Sequence, residues 1–154
     1  MFVDRKSLAN KGVIVTENNS DVLRFADVII IATKPDVIKP CLTQLVKKFN
    51  PQDFETKSFI SIAAGVPISA LESYLPSQTK SMIRVMPNTP CLVGQSATVF
   101  APGTKTTEED KEICAALFRS VGTVTELQEK MMDAATGLSG SGPACESLIS
   151  LCFP

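Results

Sequence analysis

The stretch that most constrains this chain is 26–35, ADVIIIATKP. An unbroken apolar run at 28–32 meets Thr33, Lys34 and Pro35. A short apolar run halted by a proline reads as a strand buried on both faces, and such strands belong to parallel sheets in α/β proteins. Ligands in these sheets bind just beyond the carboxyl ends of the strands. Thr33, Lys34 and Pro35 are therefore expected at a ligand-binding edge.

The rest of the chain reads as strands and helices around that run. GVIV (12–15) alternates like a strand, and Ser20 can cap a brief helix over DVLRF (21–25). After Pro35, apolar residues recur at helical spacing at Val37, Ile38, Cys41, Leu42, Leu45, Val46 and Phe49. Pro40 is tolerable only in a first turn, so this helix is expected to start near Lys39 or a little before. FISIA (59–63) is a further strand, running into Ala64 and Gly65. Ser69 and Glu72 match a capping box for a short helix that Pro76 closes. SMIRV (81–85) and ATVFA (97–101) are strands broken by MPNTP (86–90) and by Pro102-Gly103. Thr106 or Thr107 caps the next helix, with Glu108, Glu109 and Asp110 suiting its dipole and Gly122 following its end. Residues 121–127 form a sixth candidate strand, and 130–135 look helical before Gly137. Strands alternating with helices imply an α/β chain with a doubly wound sheet and helices on both faces.

Composition narrows the function. At 154 residues the chain has room for one domain with a core. A net charge of −1, with no basic patch, argues against a nucleic-acid partner. No apolar run approaches the ~20 residues that span a bilayer, so no membrane partner is expected. The opening MFVDRKSLANK has no apolar core of a signal peptide. The five cysteines are scattered without a CxxC pair, which argues against zinc or a disulfide framework and for free, mostly buried thiols. There is no histidine, which excludes Ser–His–Asp and Cys–His hydrolases. No metal ligand set and no catalytic acid or base is assigned.

Three predicted strand ends carry turn chemistry, at 33–35, 63–65 and 86–90. In a parallel sheet they lie side by side. Ala63, Ala64 and Gly65 admit a ligand close to the backbone. Asn88 offers both a donor and an acceptor, and Lys34 places a cation where a phosphate could sit. A fourth feature is GLSGSGP (137–143), where Pro143 stands at an expected first helical position and free backbone N–H groups favour an anion. The dinucleotide signature strand–GxGxxG–helix is missing, because Gly12 is the only glycine before Gly65.

ATKP (32–35), SIAAGV (61–66), RVMPNTP (84–90) and above all DAATGLSGSGPA (133–144) resemble the Δ1-pyrroline-5-carboxylate reductase family. The resemblance implies an incomplete Rossmann-like domain over 1–144 and a divergent tail over 145–154. It implies NAD(P)H-dependent reduction of 1-pyrroline-5-carboxylate to L-proline, with NADP or NAD as cofactor. Asn19, Ala32, Thr33, Lys34 and Pro35 would line the adenosine and phosphate side. Ala63, Ala64, Gly65 and Asn88 would lie towards the nicotinamide. Ser139, Gly140, Ser141, Gly142 and Pro143 would lie near the substrate ring. The family's first glycine-rich βα unit and its helical dimerisation domain have no counterpart in this sequence. The family is oligomeric. The expected compartment is the cytoplasm, with the mitochondrion as the alternative. The competing function is a non-catalytic truncated product that binds a partner or persists as a remnant domain.

Overall fold

The structure, a computed structural model, describes residues 5–140. Its centre is a five-stranded sheet: β1 (Val28–Ile31), β2 (Ser58–Ser61), β3 (Ser81–Met86), β4 (Ser96–Pro102) and β5 (Gly122–Glu126), in spatial order 1-2-3-4-5. β1, β2 and β3 are parallel, with Ile31 beside Ser61 and Ser61 beside Arg84. β4 runs antiparallel to β3, and β5 is parallel to β4. The reversal follows from chain length. A parallel crossover needs a dozen or more residues, whereas between Met86 and Ser96 there is only a 3-10 turn, Thr89–Val93.

The helices are α1 (Arg5–Ala9), α2 (Asn19–Phe25), α3 (Pro35–Val46), α4 (Ile68–Ser73), α5 (Glu108–Arg119) and α6 (Met132–Ala135). Side chains alternate across the strands. Ile29, Ile31, Phe59 and Met82 join Leu23, Ile38, Leu42 and Leu71 from α2, α3 and α4 in one cluster. Ile60, Ile83, Val85 and Phe100 join Cys114 and Ala115 of α5 in another on the opposite face. The doubly wound reading, with helices on both faces, therefore holds.

Several local expectations change. GVIV forms no strand: Val13, Ile14 and Val15 are exposed, and the backbone bonds in this stretch run from Gly12 N–H and Val13 N–H back to the Ala9 and Leu8 carbonyls. β1 is buried on one face only, because Ile30 is 48% exposed. α3 starts at Pro35, not near Lys39, and holds Pro40 within it. Ile38, Leu42 and Leu45 are buried on its inner side, while Pro40 faces solvent, so tertiary burial outweighs the lost backbone bond. Asn18, not Ser20, caps α2, accepting the Ser20 N–H, and Ser20 lies buried inside the helix. The Ser69–Glu72 capping box does not form, because Thr104 takes the Glu72 carboxylate. Thr107 forms the box that caps α5, with Asp110 as its reciprocal partner.

Asp110 does more than serve the helix dipole. It is 2% exposed and accepts from Ser58 Oγ at 2.9 Å, Thr107 Oγ1 at 2.7 Å and Lys80 Nζ at 2.9 Å. Burial pushes its carboxyl upward, but the bonds from Thr107, Lys80 and Ser58 prevail and hold its pKa at about 2. The same hydrogen bond raises the pKa of Lys80. α5 is thereby fastened to the starts of β2 and β3.

Candidate functional site

Because β1, β2 and β3 are parallel and in register, their carboxyl ends form one edge. The three predicted turns therefore lie side by side. At the first, Asn19, Ala32 and Thr33 share the wall of a cavity of about 150 Å³ with Cys41, whose sulfur accepts from Asn19 Nδ2 at 3.2 Å. Lys34 and Pro35 stand at the start of α3, Lys34 in the capping position with no side-chain cap bond and Pro35 in the first turn. The free N–H groups and the dipole of this 12-residue helix favour an anion there.

At the second turn Ala63 is buried, and Ala64 and Gly65 are exposed. Gly65 has φ +73°, a conformation that suits glycine, and open space where a Cβ would stand. Here the backbone itself is the surface a ligand would meet.

At the third turn the Asn88 carboxamide is already engaged. Its oxygen accepts from Ala97 N–H at 2.9 Å and Ser96 Oγ at 3.0 Å, and its nitrogen donates to the Ser139 carbonyl at 3.3 Å. Asn88 ties β4 to the stretch that carries the fourth motif. That stretch is a wide helical turn, Thr136–Gly140, continuous with α6 rather than broken at Gly137. Gly140 passes so close that a Cβ would stand 2.9 Å from Met86 Cε. Thus Ser139 and Gly140 join the strand-end residues on one edge. Ser141, Gly142 and Pro143, like the tail over 145–154, lie outside the described residues.

Sequence reasoning missed Arg84. It is a cation 5% exposed in the middle of β3. Its guanidinium donates to Asp133 Oδ1 at 2.7 Å and lies 3.5 Å from Glu129 Oε1, which also accepts the Ile68 N–H at 2.5 Å. One buried side chain therefore holds α6 to the sheet, while Glu129 caps α4. Arg84 and Asn88 grip successive parts of the segment leading into GLSG. A signal was present: a lone Arg among the apolar residues of the strand SMIRV must be paired where it is buried, and Glu129 and Asp133 precede the glycine motif.

Among the described residues no group of His, Cys, Asp and Glu could hold a metal ion. Cys41, Cys91 and Cys114 are free thiols, and burial pushes Cys114 up to about 12, which keeps it protonated and unreactive. No described helix is long and apolar enough to cross a membrane.

A mostly parallel sheet wound by helices on both faces, with small and polar residues gathered at its carboxyl edge, defines a domain of the Rossmann-like class. Residues 4–65 match the family model described as NADP oxidoreductase coenzyme F420-dependent. A pyrroline-5-carboxylate reductase of Arabidopsis thaliana is 44% identical over 133 residues, covering 86% of this chain and 46% of that protein. The crystal structure of Plasmodium falciparum pyrroline carboxylate reductase with NADP bound matches with a TM-score of 0.79 and 34% identity, covering 87% of this chain and 49% of that one. The Coxiella burnetii pyrroline-5-carboxylate reductase structure matches with a TM-score of 0.84 and 30% identity, covering 95% and 53%. The chain belongs to the pyrroline-5-carboxylate reductase family. It spans about half the length of the curated relatives it matches.

Proposed function

We propose that this chain supplies the NAD(P)H-binding part of a reductase that converts 1-pyrroline-5-carboxylate to L-proline. The observation that carries this reading is the single edge formed by the ends of β1, β2 and β3 together with Ser139 and Gly140. The residues fit a dinucleotide: the start of α3 with Lys34 suits a phosphate, and the bare backbone at Gly65 allows close approach. The NADP bound in the Plasmodium relative supports the cofactor class.

When bound, NAD(P)H supplies a hydride. The chain's own residues bind, orient and exclude water. Asn19, Ala32, Thr33, Lys34 and Pro35 take the adenosine and phosphate side, and Ala63, Ala64, Gly65 and Asn88 the nicotinamide side. Ser139, Gly140, Ser141, Gly142 and Pro143 take the substrate. With the imine nitrogen already protonated, the residues of this chain would need only to hold the imine carbon towards the nicotinamide and shield it from water, and none would need to act as an acid. Orientation then supplies most of the rate. With its nitrogen fixed on Ser139, Asn88 acts as much by holding the substrate segment as by touching the cofactor.

The test is a chimera in which residues 11–144 replace the matching segment of a full-length relative that supplies a GxGxxA unit before and a helical domain after. NAD(P)H oxidation with pyrroline-5-carboxylate, with proline measured as product, is expected. Asn88→Ala lowers turnover, and Gly142→Val lowers it more, since a misplacement of about 1 Å costs on the order of a hundredfold. A soluble chimera that binds cofactor and makes no proline defeats the reading. Residues 11–144 by themselves, without the GxGxxA unit of a relative, are expected to bind NAD(P)H weakly or not at all, and micromolar binding seen by nucleotide fluorescence would refute that expectation.

A further inference from the structure

The opposite end of the sheet holds a larger cavity, about 320 Å³, away from the strand ends described above. Met82 at the start of β3, Leu75 and Pro76 after α4, and Thr104 and Lys105 after β4 wall it, with Glu72 of α4. It is a built site. Thr104 donates to both Glu72 oxygens, from its N–H at 2.7 Å and from its hydroxyl at 2.8 Å. The Met82 carbonyl accepts from Gly103 N–H at 2.8 Å and Thr106 Oγ1 at 3.0 Å. A Cβ on Gly103 would stand 2.6 Å from both Glu72 Oε1 and the Met82 carbonyl, so only glycine lets this loop close. The Lys105 ammonium donates to the Ser77 carbonyl, linking the two loops that form the walls.

The charges on this wall are unbalanced locally. Neither Glu72 nor Lys105 forms an ion pair with the other or with any described residue. Leu75 and Met82 beside them are buried apolar surface. A simple anion would meet the Glu72 carboxylate, and a simple amine would meet Lys105. A molecule that carries both charges, with an apolar branch, satisfies all three features at once.

We propose that this cavity binds a small free α-amino acid with an unbranched apolar side chain. Its ammonium faces Glu72, its carboxylate faces Lys105, and its side chain lies on Leu75 and Met82. The volume is at the small end of the range for ligand pockets and matches a ligand of this size. The inference is independent of the reductase reading and uses none of the same residues.

The test uses L-norvaline as probe on the full chain at low micromolar concentration, read by saturation-transfer NMR on the norvaline methyl group. Pentanoate, which lacks the amine, and 1-butylamine, which lacks the carboxylate, are the comparison probes. Saturable transfer to norvaline is expected, with each analogue at least about tenfold weaker, since a charge-assisted hydrogen bond is worth roughly 1.5–3 kcal/mol. Lys105→Met keeps the stem on an exposed loop and is expected to weaken norvaline about tenfold while leaving butylamine unchanged. Glu72→Gln, which keeps an acceptor for Thr104, is expected to weaken norvaline and to leave pentanoate no weaker. Absence of saturable transfer, equal binding of norvaline and pentanoate, or unchanged norvaline binding by Lys105→Met would each overturn the proposal.

Discussion

The two outer strands of the sheet are built from opposite chemistry. β5 reads GTVTE: Val124 packs towards α5, Glu126 on the same face meets Lys111 of α5 at 3.1 Å, and Thr123 and Thr125 face the other way. Such a strand can sit at the edge of a sheet without inviting further pairing. β1 reads VIII, the composition of an interior strand, yet its outer side is unpaired among the described residues and Ile30 is 48% exposed. The stretches before it expose Phe25 at 85% and Ile14 at 94%. On the β5 side, α5 closes the face. On the β1 side no described helix closes it. An edge strand's composition thus tells a finished boundary from an open one.

That contrast can be broken from either side. The largest effect is expected within β1 itself. Ile29→Ala removes a buried side chain and is expected to cost about 3 kcal/mol in urea unfolding, whereas Ile30→Ala one position away costs less than about 1 kcal/mol. Equal costs would mean that β1 is covered on both faces in solution.

On the face that α5 covers, Asp110 gives a pH signature. Its carboxyl lies lower in the folded chain, at about 2, than the ordinary 3.8, so the unfolded chain binds the extra proton. The stabilisation is complete above the ordinary value and is lost as pH falls from there through about 2. It amounts to on the order of 2 kcal/mol. Asp110→Asn should flatten this part of the stability–pH curve, and an unchanged curve would assign the acid sensitivity elsewhere.

The smallest effect on stability falls on the open edge and is seen in solubility. Ile30→Lys should slow aggregation, followed by light scattering on warming, with unfolding free energy altered by less than about 1 kcal/mol. Thr123→Lys on β5 should leave aggregation unchanged. If both substitutions act alike, the difference between the edges is not what drives association.

Much of this was legible beforehand. The five observed strands were each anticipated, four of them because apolar runs ending in Pro or Gly are strong local signals, and β5 without such an ending. GVIV carried the same signal and formed nothing, because alternation names a strand without supplying a neighbour to pair with. The direction of β4 was readable from the short connection at MPNTP. The mistaken capping box at Ser69 and Glu72 shows the limit of local pattern: a carboxylate placed for one partner was claimed by Thr104, 32 positions away. At the candidate site the strand-end turns were foreseen by position. The use of Asn88 and Arg84 as ties to the 129–140 segment was not, since it depends on contacts across the sheet.

The reversal of β4 has an electrical consequence. A helix that follows a strand runs back along it, so α3 begins at the carboxyl edge of β1–β3, while α5, following a reversed strand, begins at the other pole. The macrodipoles of α3 and α5 therefore oppose each other, with their positive ends at opposite poles of the sheet. At the α5 pole three first-turn acids, Glu108, Glu109 and Asp110, neutralise it from within the chain. In the first turn of α3 Asp36 is the one acid, and Lys34 stands in the capping position. Of the two poles, the one where the strand ends converge keeps its positive potential for an incoming anion.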